Sequence, residues 1–432
     1  MDNQDRSLPG KRPHITLGGQ RYALLRQFTE GMHSVVWQAQ PLPQASRPDE
    51  TQYERVELAG FSLLEYLRRE SQERFAPDAS LGAELVAIKL PLAGGAMDVL
   101  RQEARNLSRL RGISERSQRL VALQHDLSED SGCPCLVLAW ASGQQLDRLA
   151  APMAEPDGLA AGFQVAEVIE VIFNRRYTPL TDSIKPNSIF WDADTRQVTI
   201  IDLGVVGETM ASLEKMTLPL LGDTMHWILV GEHVGNAQEG VFELDREDKI
   251  KIGKAGAWQG LSYGARAIIR KLLLGEFLPY PTEGLDREPL FQCLKAATGA
   301  VRGALKTQMD LWGEPLDSLL SRARRAGGVE AMNLYDVARL RQAALSEQDE
   351  QNYQEHLHAL IWEKLRAGEH VPACIELRWA HRRYPEHGLA RRAWLANQAA
   401  RDLPALENVW PGLMEVLEVM EQGDALFERR RL

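Results

Sequence analysis

The apolar residues of this chain change their spacing once, and that change limits what it can fold into. Up to residue 140 they come mainly in short β-branched runs, at 22–39, 84–91, 120–125 and 135–140, with one amphipathic helix expected at 97–111 after Gly94 and Gly95. The run at 22–39 is broken by Thr29, Glu30 and Gly31, a strand, turn, strand pattern. After Gly143 the spacing becomes three and four. Irregular, Pro-containing text at 178–192 and a short β-branched run at 198–201 interrupt it. A strand-rich part followed by a helix-rich part predicts an α+β protein of two lobes. The polar stretch 41–81 reads as an insertion; its piece 53–70 repeats Val56, Leu58, Leu63, Leu64 and Leu67 at helical spacing.

At 432 residues the chain exceeds one ordinary domain, and 44% hydrophobic with 25% charged residues is the composition of a folded protein. A formal net charge of -10 argues against a nucleic-acid binder, whose affinity would come from clustered Lys and Arg. No run of about 18 apolar residues suggests a membrane span. The opening residues are polar and contain Pro9 and Pro13, unlike a signal peptide. They read as a flexible tail over 1–15, and a cytoplasmic protein without a membrane partner is expected. Cys133, Cys135, Cys293 and Cys374 lack the paired spacing of a zinc site and read as reduced thiols.

Three charged residues stand where chemistry could use them. Lys89 lies in the apolar strand ELVAIKL, where its amine would reach phosphate oxygens if the strand lines a cleft. Glu103 follows on the helix at 97–111, suited to pair with Lys89. Asp202 ends the run at 198–201 and precedes Leu203 and Gly204, a setting that suits a carboxylate on Mg²⁺. Each alone also fits a solvated surface group or a turn former.

In this order, with a Lys-Pro loop at 185–186 between them, these residues resemble the eukaryotic-type Ser/Thr protein kinases over 22–277. The family's VAIK stands at 86–89. The resemblance implies a protein-kinase-like domain over 16–280, with a β-rich lobe at 16–140 and a helical lobe at 141–280, holding ATP and Mg²⁺. It implies that Lys89 contacts the phosphates, Glu103 pairs with Lys89, and Asp202 holds Mg²⁺. Gly31 and Ser34 would belong to the glycine-rich loop, and Val36 and Ala87 would meet the nucleotide. Leu138 would stand at the back of the adenine pocket, with backbone groups near Trp140 and Ala141 on the adenine edge. Residues 222–230 are similar to the start of the central helix of the family's helical lobe.

The departures bear on activity. In FTEGMHSVV only Gly31 keeps its glycine, while Thr29 and Ser34 replace the outer ones. The catalytic loop corresponds to TDSIKPNS. Anchored on Lys185 and Pro186, it puts Ser183 at the catalytic base and Ser188 at the metal-binding asparagine. Shifted by one residue, it restores Asp182 as base and Asn187 as metal ligand. Both registers stay open. The stretch from 205 to 222 is short and lacks Ala-Pro-Glu, and Thr209, Ser212 and Thr217 read as solvated loop hydroxyls.

Past Pro279 and Pro281 the text is helical to residue 432 and predicts a separate α-helical module over 281–432, suited to a protein partner or substrate. The function that follows is an ATP-binding, kinase-like protein, a pseudokinase or weakly active kinase serving as a regulatory module. An active Ser/Thr protein kinase and a small-molecule kinase on the same fold are the alternatives.

Overall fold

The computed structural model describes residues 12–17, 19–30, 34–43, 53–55, 84–92, 96–111, 113–121, 123–125, 135–174, 184–202, 210–231, 260–278, 285–402 and 406–431. In chain order the strands and helices begin with β1 (Arg12–Leu17), β2 (Gln20–Glu30), β3 (Ser34–Leu42), β4 (Tyr53–Arg55), β5 (Val86–Pro91), α1 (Ala96–Arg111), β6 (Leu123–His125) and β7 (Leu136–Ala139). They continue with β8 (Gln144–Gln145), α2 (Glu155–Asn174), β9 (Ile189–Asp192), β10 (Gln197–Ile200), α3 (Met210–Val230) and α4 (Tyr263–Leu273). The rest is helical: α5 (Arg287–Gly313), α6 (Leu316–Arg325), α7 (Gly328–Leu340), α8 (Glu347–Arg366), α9 (His370–Arg383), α10 (Gly388–Arg401) and α11 (Leu406–Arg431). The protein is α+β. No described helix is long and apolar enough to cross a membrane.

These residues form two compact units, one of Met1–Ala150, Ala161–Thr224 and Phe277–Arg302, the other of Ala151–Ala160, Met225–Glu276 and Gly303–Leu432. This division differs from a boundary at 280. Past the prolines, the first half of α5 packs within the sheet-bearing unit, where Phe291 meets Phe173 edge-on at 6.4 Å and the Arg302 guanidinium sits 5.6 Å over Phe163.

In that unit seven strands make one sheet in the order β4-β1-β2-β3-β5-β7-β6, antiparallel except for β4 against β1. Two expectations are corrected at its edge. Residues 12–15, expected in the tail, belong to β1, and Tyr53–Arg55, expected to start a helix, forms β4. The reason is shared: pairing Arg12 with Tyr53 and His14 with Arg55 gives each segment ladder hydrogen bonds that neither has alone. The remainder of the expected helix lies outside the described residues.

Along β5, Val86, Ile88 and Leu90 are fully buried and join Leu24, Val35 and Trp37 in one apolar cluster. Because side chains alternate across a sheet, Ala87 and Lys89 must face the other way. A small sheet, β10-β9-β8, follows the turn at Gly143. Gly143 has φ +84, and a Cβ there would lie 2.1 Å from the Trp191 carbonyl oxygen, so only glycine fits. A further correction concerns 210–221, read as part of a short loop, which belong to α3. Thr217 is fully buried there, so it is not a solvated hydroxyl.

In the second unit one core joins α6 to α11, with Leu319, Tyr335, Tyr353, Leu357, Leu377, Leu395 and Met420 all fully buried. Each such side chain is worth about 1.5–3 kcal/mol of transfer free energy. Buried Glu155 accepts hydrogen bonds from the Ser262 N–H (2.7 Å), the Ser262 hydroxyl (2.6 Å) and the Trp312 indole (3.1 Å). Desolvation pushes its carboxyl above the ordinary range despite these donors. Cys135, Cys293 and Cys374 are buried free thiols, and Cys133 lies outside the described residues.

Candidate nucleotide-binding cleft

The sheet's register builds the site. Val36 stands opposite Lys89 across β3 and β5, and Leu138 stands opposite Ala87 across β5 and β7. Directly opposed residues project to the same face, so Val36, Ala87, Lys89 and Leu138 come together on the face turned away from the apolar cluster.

On α1, Glu103 sits within a stripe of buried Leu100, Ala104, Leu107 and Leu110. A carboxylate there is costly unless paired. Its Oε2 lies 2.7 Å from Lys89 Nζ, which also meets Asp202 Oδ1 at 2.8 Å. Lys89 is 8% exposed and Glu103 is 0% exposed, whereas the Asp202 side chain is 42% exposed. Burial alone would lower the Lys89 pKa, but the two carboxylates outweigh it and hold the amine well above its ordinary value. Lys89 is therefore a permanent cation at neutral pH.

Asp202 follows β10, where the Ile201 N–H donates to the Ser188 carbonyl at 2.9 Å. Its φ of +66 is left-handed, a conformation that Asp tolerates better than most residues but that still carries strain. The 3-10 turn Pro186–Ser188 is closed by the Ser188 N–H on the Lys185 carbonyl at 2.9 Å.

A cavity of about 230 Å³ gathers these residues. Ser34, Val36, Ala87 and Leu138 line it together with Trp140 and Ala141, and Lys89, Glu103, Asp202, Asn187 and Ser188 supply its polar wall. All of these were named from the sequence. Lys185 does not line the cavity; it is the N-cap of the turn that presents Asn187 and Ser188. Gly31, Asp182 and Ser183 lie outside the described residues. The Trp140 N–H is committed to the Leu85 carbonyl at 3.3 Å.

Further lining residues were missed in the sequence, among them Phe28, Gln145, Asp147, Arg148 and Phe190. Phe28 meets Trp140 edge-on at 5.1 Å and Phe190 at 6.3 Å, and the Arg148 guanidinium lies 5.0 Å over the Phe28 ring. The only signal for Phe28 was its place just before the Thr29-Glu30-Gly31 break. Gln145 is 8% exposed; its Nε2 donates to the Asn187 carbonyl, while its Oε1 is buried in the cavity wall without a protein donor. Nothing in the local sequence marks it.

Chemically, the cleft joins Leu138 and an aromatic group at Trp140 and Phe28, the latter under the Arg148 guanidinium, to a charged group in which one cation is held by two carboxylates. Among the described residues no three His, Cys, Asp or Glu side chains cluster as a self-sufficient metal site. Asp202, Asn187 and Ser188 bring side-chain oxygens to one wall of the cavity. No protein-family model matches the chain, and no curated protein matches it.

Proposed function

We propose that this cleft binds ATP with Mg²⁺, and that the protein is a pseudokinase or weakly active kinase-like protein acting as a regulatory module. The single observation that carries the reading is the placement of the Lys89 amine 2.7 Å from Glu103 and 2.8 Å from Asp202 in a cavity that Val36, Ala87 and Leu138 also line. Lys89, a cation with three donors, neutralises phosphate oxygens; Glu103 fixes the amine so that little side-chain entropy remains to be lost on binding. Val36, Ala87 and Leu138 supply apolar surface for the base, and with the Trp140 N–H already engaged, Ala141 is left to meet its edge.

Asp202, with Asn187 or Ser188, is the donor set for Mg²⁺, which would supply charge neutralisation at the phosphates. The half-exposed Asp202 carboxylate can turn from Lys89 toward the metal, whereas buried Glu103 stays on the amine.

A second reading is an active Ser/Thr kinase with Asp182 as base and Asn187 on the metal; Asn187 and Ser188 both line the cavity. The helical state of 210–221 counts against a docked protein substrate and keeps a small-molecule kinase in view.

Titration of the full chain with ATP and with adenosine tests the reading. Lys89→Ala is expected to weaken ATP binding at least tenfold while leaving adenosine unchanged. Equal losses for both ligands, or none for ATP, would contradict a phosphate role for Lys89.

A further inference from the structure

In the helical unit, Asp336 is fully buried and has more cations around it than one carboxylate can satisfy. Arg266, Arg339 and Arg383 approach it at 3.6, 3.5 and 3.7 Å, all beyond good hydrogen-bond length, while its Oδ2 already accepts from the Tyr263 N–H at 3.0 Å. Arg339 has a second carboxylate, Glu350, at 2.7 Å. Arg266 has no such relief. Its guanidinium lies 4.7 Å over Trp379 and 5.5 Å from the Tyr263 ring, and its Nε and Nη2 are buried without a hydrogen-bond partner from the protein. Beyond the Asp336 charge at 3.6 Å, this buried guanidinium keeps donors that no protein acceptor satisfies.

Arg266 also lines a cavity of about 240 Å³. One turn further along α4, Arg270 reaches the same cavity with a second buried, unpartnered Nε. Lys271 and Glu276 also stand in its wall, with Lys364 and Glu369 paired at 3.7 Å; among its carboxylates Glu376, only 6% exposed, has an Oε2 that is likewise buried without a donor. Tyr263 and Ile375 add apolar surface. The volume is about eight times the ~30 Å³ that one water occupies. It falls below the roughly 300–1,000 Å³ of pockets for drug-sized ligands.

The unsatisfied atoms specify the occupant. Two arginine Nε–H groups call for an acceptor with negative charge, and one glutamate oxygen calls for a donor with positive charge. We propose that this cavity is a binding site for a small zwitterion of the α-amino-acid class, its carboxylate on Arg266 and Arg270 and its ammonium on Glu376, with the side chain against Tyr263 and Ile375. A simple anion would satisfy the arginines and leave Glu376 unpaired. A cation alone would do the reverse.

The test is thermal unfolding of the full chain against a panel of L-α-amino acids at millimolar concentration, with each one's amide and N-acetyl derivative, and with acetate and phosphate. At least one amino acid is expected to raise the melting midpoint by several degrees, its two blocked forms by much less, and Arg270→Gln is expected to abolish the shift. Arg270 is only partly buried, so this variant should fold; if its own melting midpoint collapses, Glu376→Gln, nearly the same shape, decides in its place. No shift from any amino acid would overturn the proposal. Equal shifts from acetate or phosphate would reduce the cavity to an anion site, and a shift that survives both substitutions would place the ligand elsewhere.

Discussion

Lys89 Nζ lies 2.7 Å from Glu103 Oε2, and both side chains are largely buried. The pair ties β5 to α1 and holds the amine at the cavity. Removing one member of a buried ion pair typically costs about 3–5 kcal/mol, because the remaining charge is stranded. Glu103→Ala is predicted to destabilise the sheet-bearing unit by about 3 kcal/mol, near the low end because Asp202 still meets the amine at 2.8 Å. Glu103→Gln, which keeps a hydrogen-bond acceptor, is predicted to cost less. Urea unfolding of the two variants beside the parent measures both.

The helical unit carries a different kind of charge constraint. His358 is 8% exposed, accepts a hydrogen bond from Arg391 Nε at 3.1 Å, and is pushed down to about 4 by burial and by the Arg391 and His387 charges. Its folded pKa lies below the ordinary value of 6.5, so the fold prefers neutral imidazole. This contribution is present above pH 6.5 and is lost as pH falls toward 4. With 1.36 kcal/mol per pKa unit, the loss is on the order of 3 kcal/mol. His358→Gln is predicted to remove most of that acid sensitivity, as unfolding free energies at pH 7 and pH 4.5 would show.

Gly143 precedes β8 at a φ of +84, with the Trp191 carbonyl where a Cβ would go. Gly143→Ala is predicted to cost more than the ~1–2 kcal/mol of left-handed strain alone, because the backbone must also move. Since β8 carries Gln145 into the cavity wall, nucleotide affinity should fall with the melting temperature. Unchanged affinity in a folded variant would separate that turn from the site.

For the catalytic question, Asp182→Asn and Ser183→Ala divide the readings. A pseudokinase or weakly active protein is predicted to show no phosphotransfer, or slow transfer that Asp182→Asn leaves intact. Loss of a true general base would lower the rate by roughly 10²–10⁴. A loss of that size in Asp182→Asn would instead establish the active-kinase reading.

Much of the site was legible because it rests on period-two alternation and a few charged residues in order. Lys89, Glu103 and Asp202, named far apart in sequence, meet within 2.8 Å. The pattern did not reveal Phe28, Phe190, Arg148 or Gln145, whose importance comes from where neighbouring strands carry them. Edge pairing defeated the reading of Tyr53–Arg55 as helix, because three residues follow a partner strand more readily than their own periodicity. The buried state of Thr217 and the helix over 210–221 were missed because that stretch was read as a loop by its resemblance, whereas the helix runs through Pro219. Nor could spacing reveal Arg266 and Glu376 as neighbours of one cavity, since more than a hundred residues separate them in the chain.

The most direct measurement is the melting temperature of the full chain titrated with ATP, with and without Mg²⁺, beside Lys89→Ala. A ligand at about 100 times its dissociation constant adds roughly 2.7 kcal/mol, enough to move the midpoint by several degrees. The account predicts a shift that grows with Mg²⁺ and disappears in Lys89→Ala. No shift at millimolar ATP, or one that Lys89→Ala leaves unchanged, would contradict it.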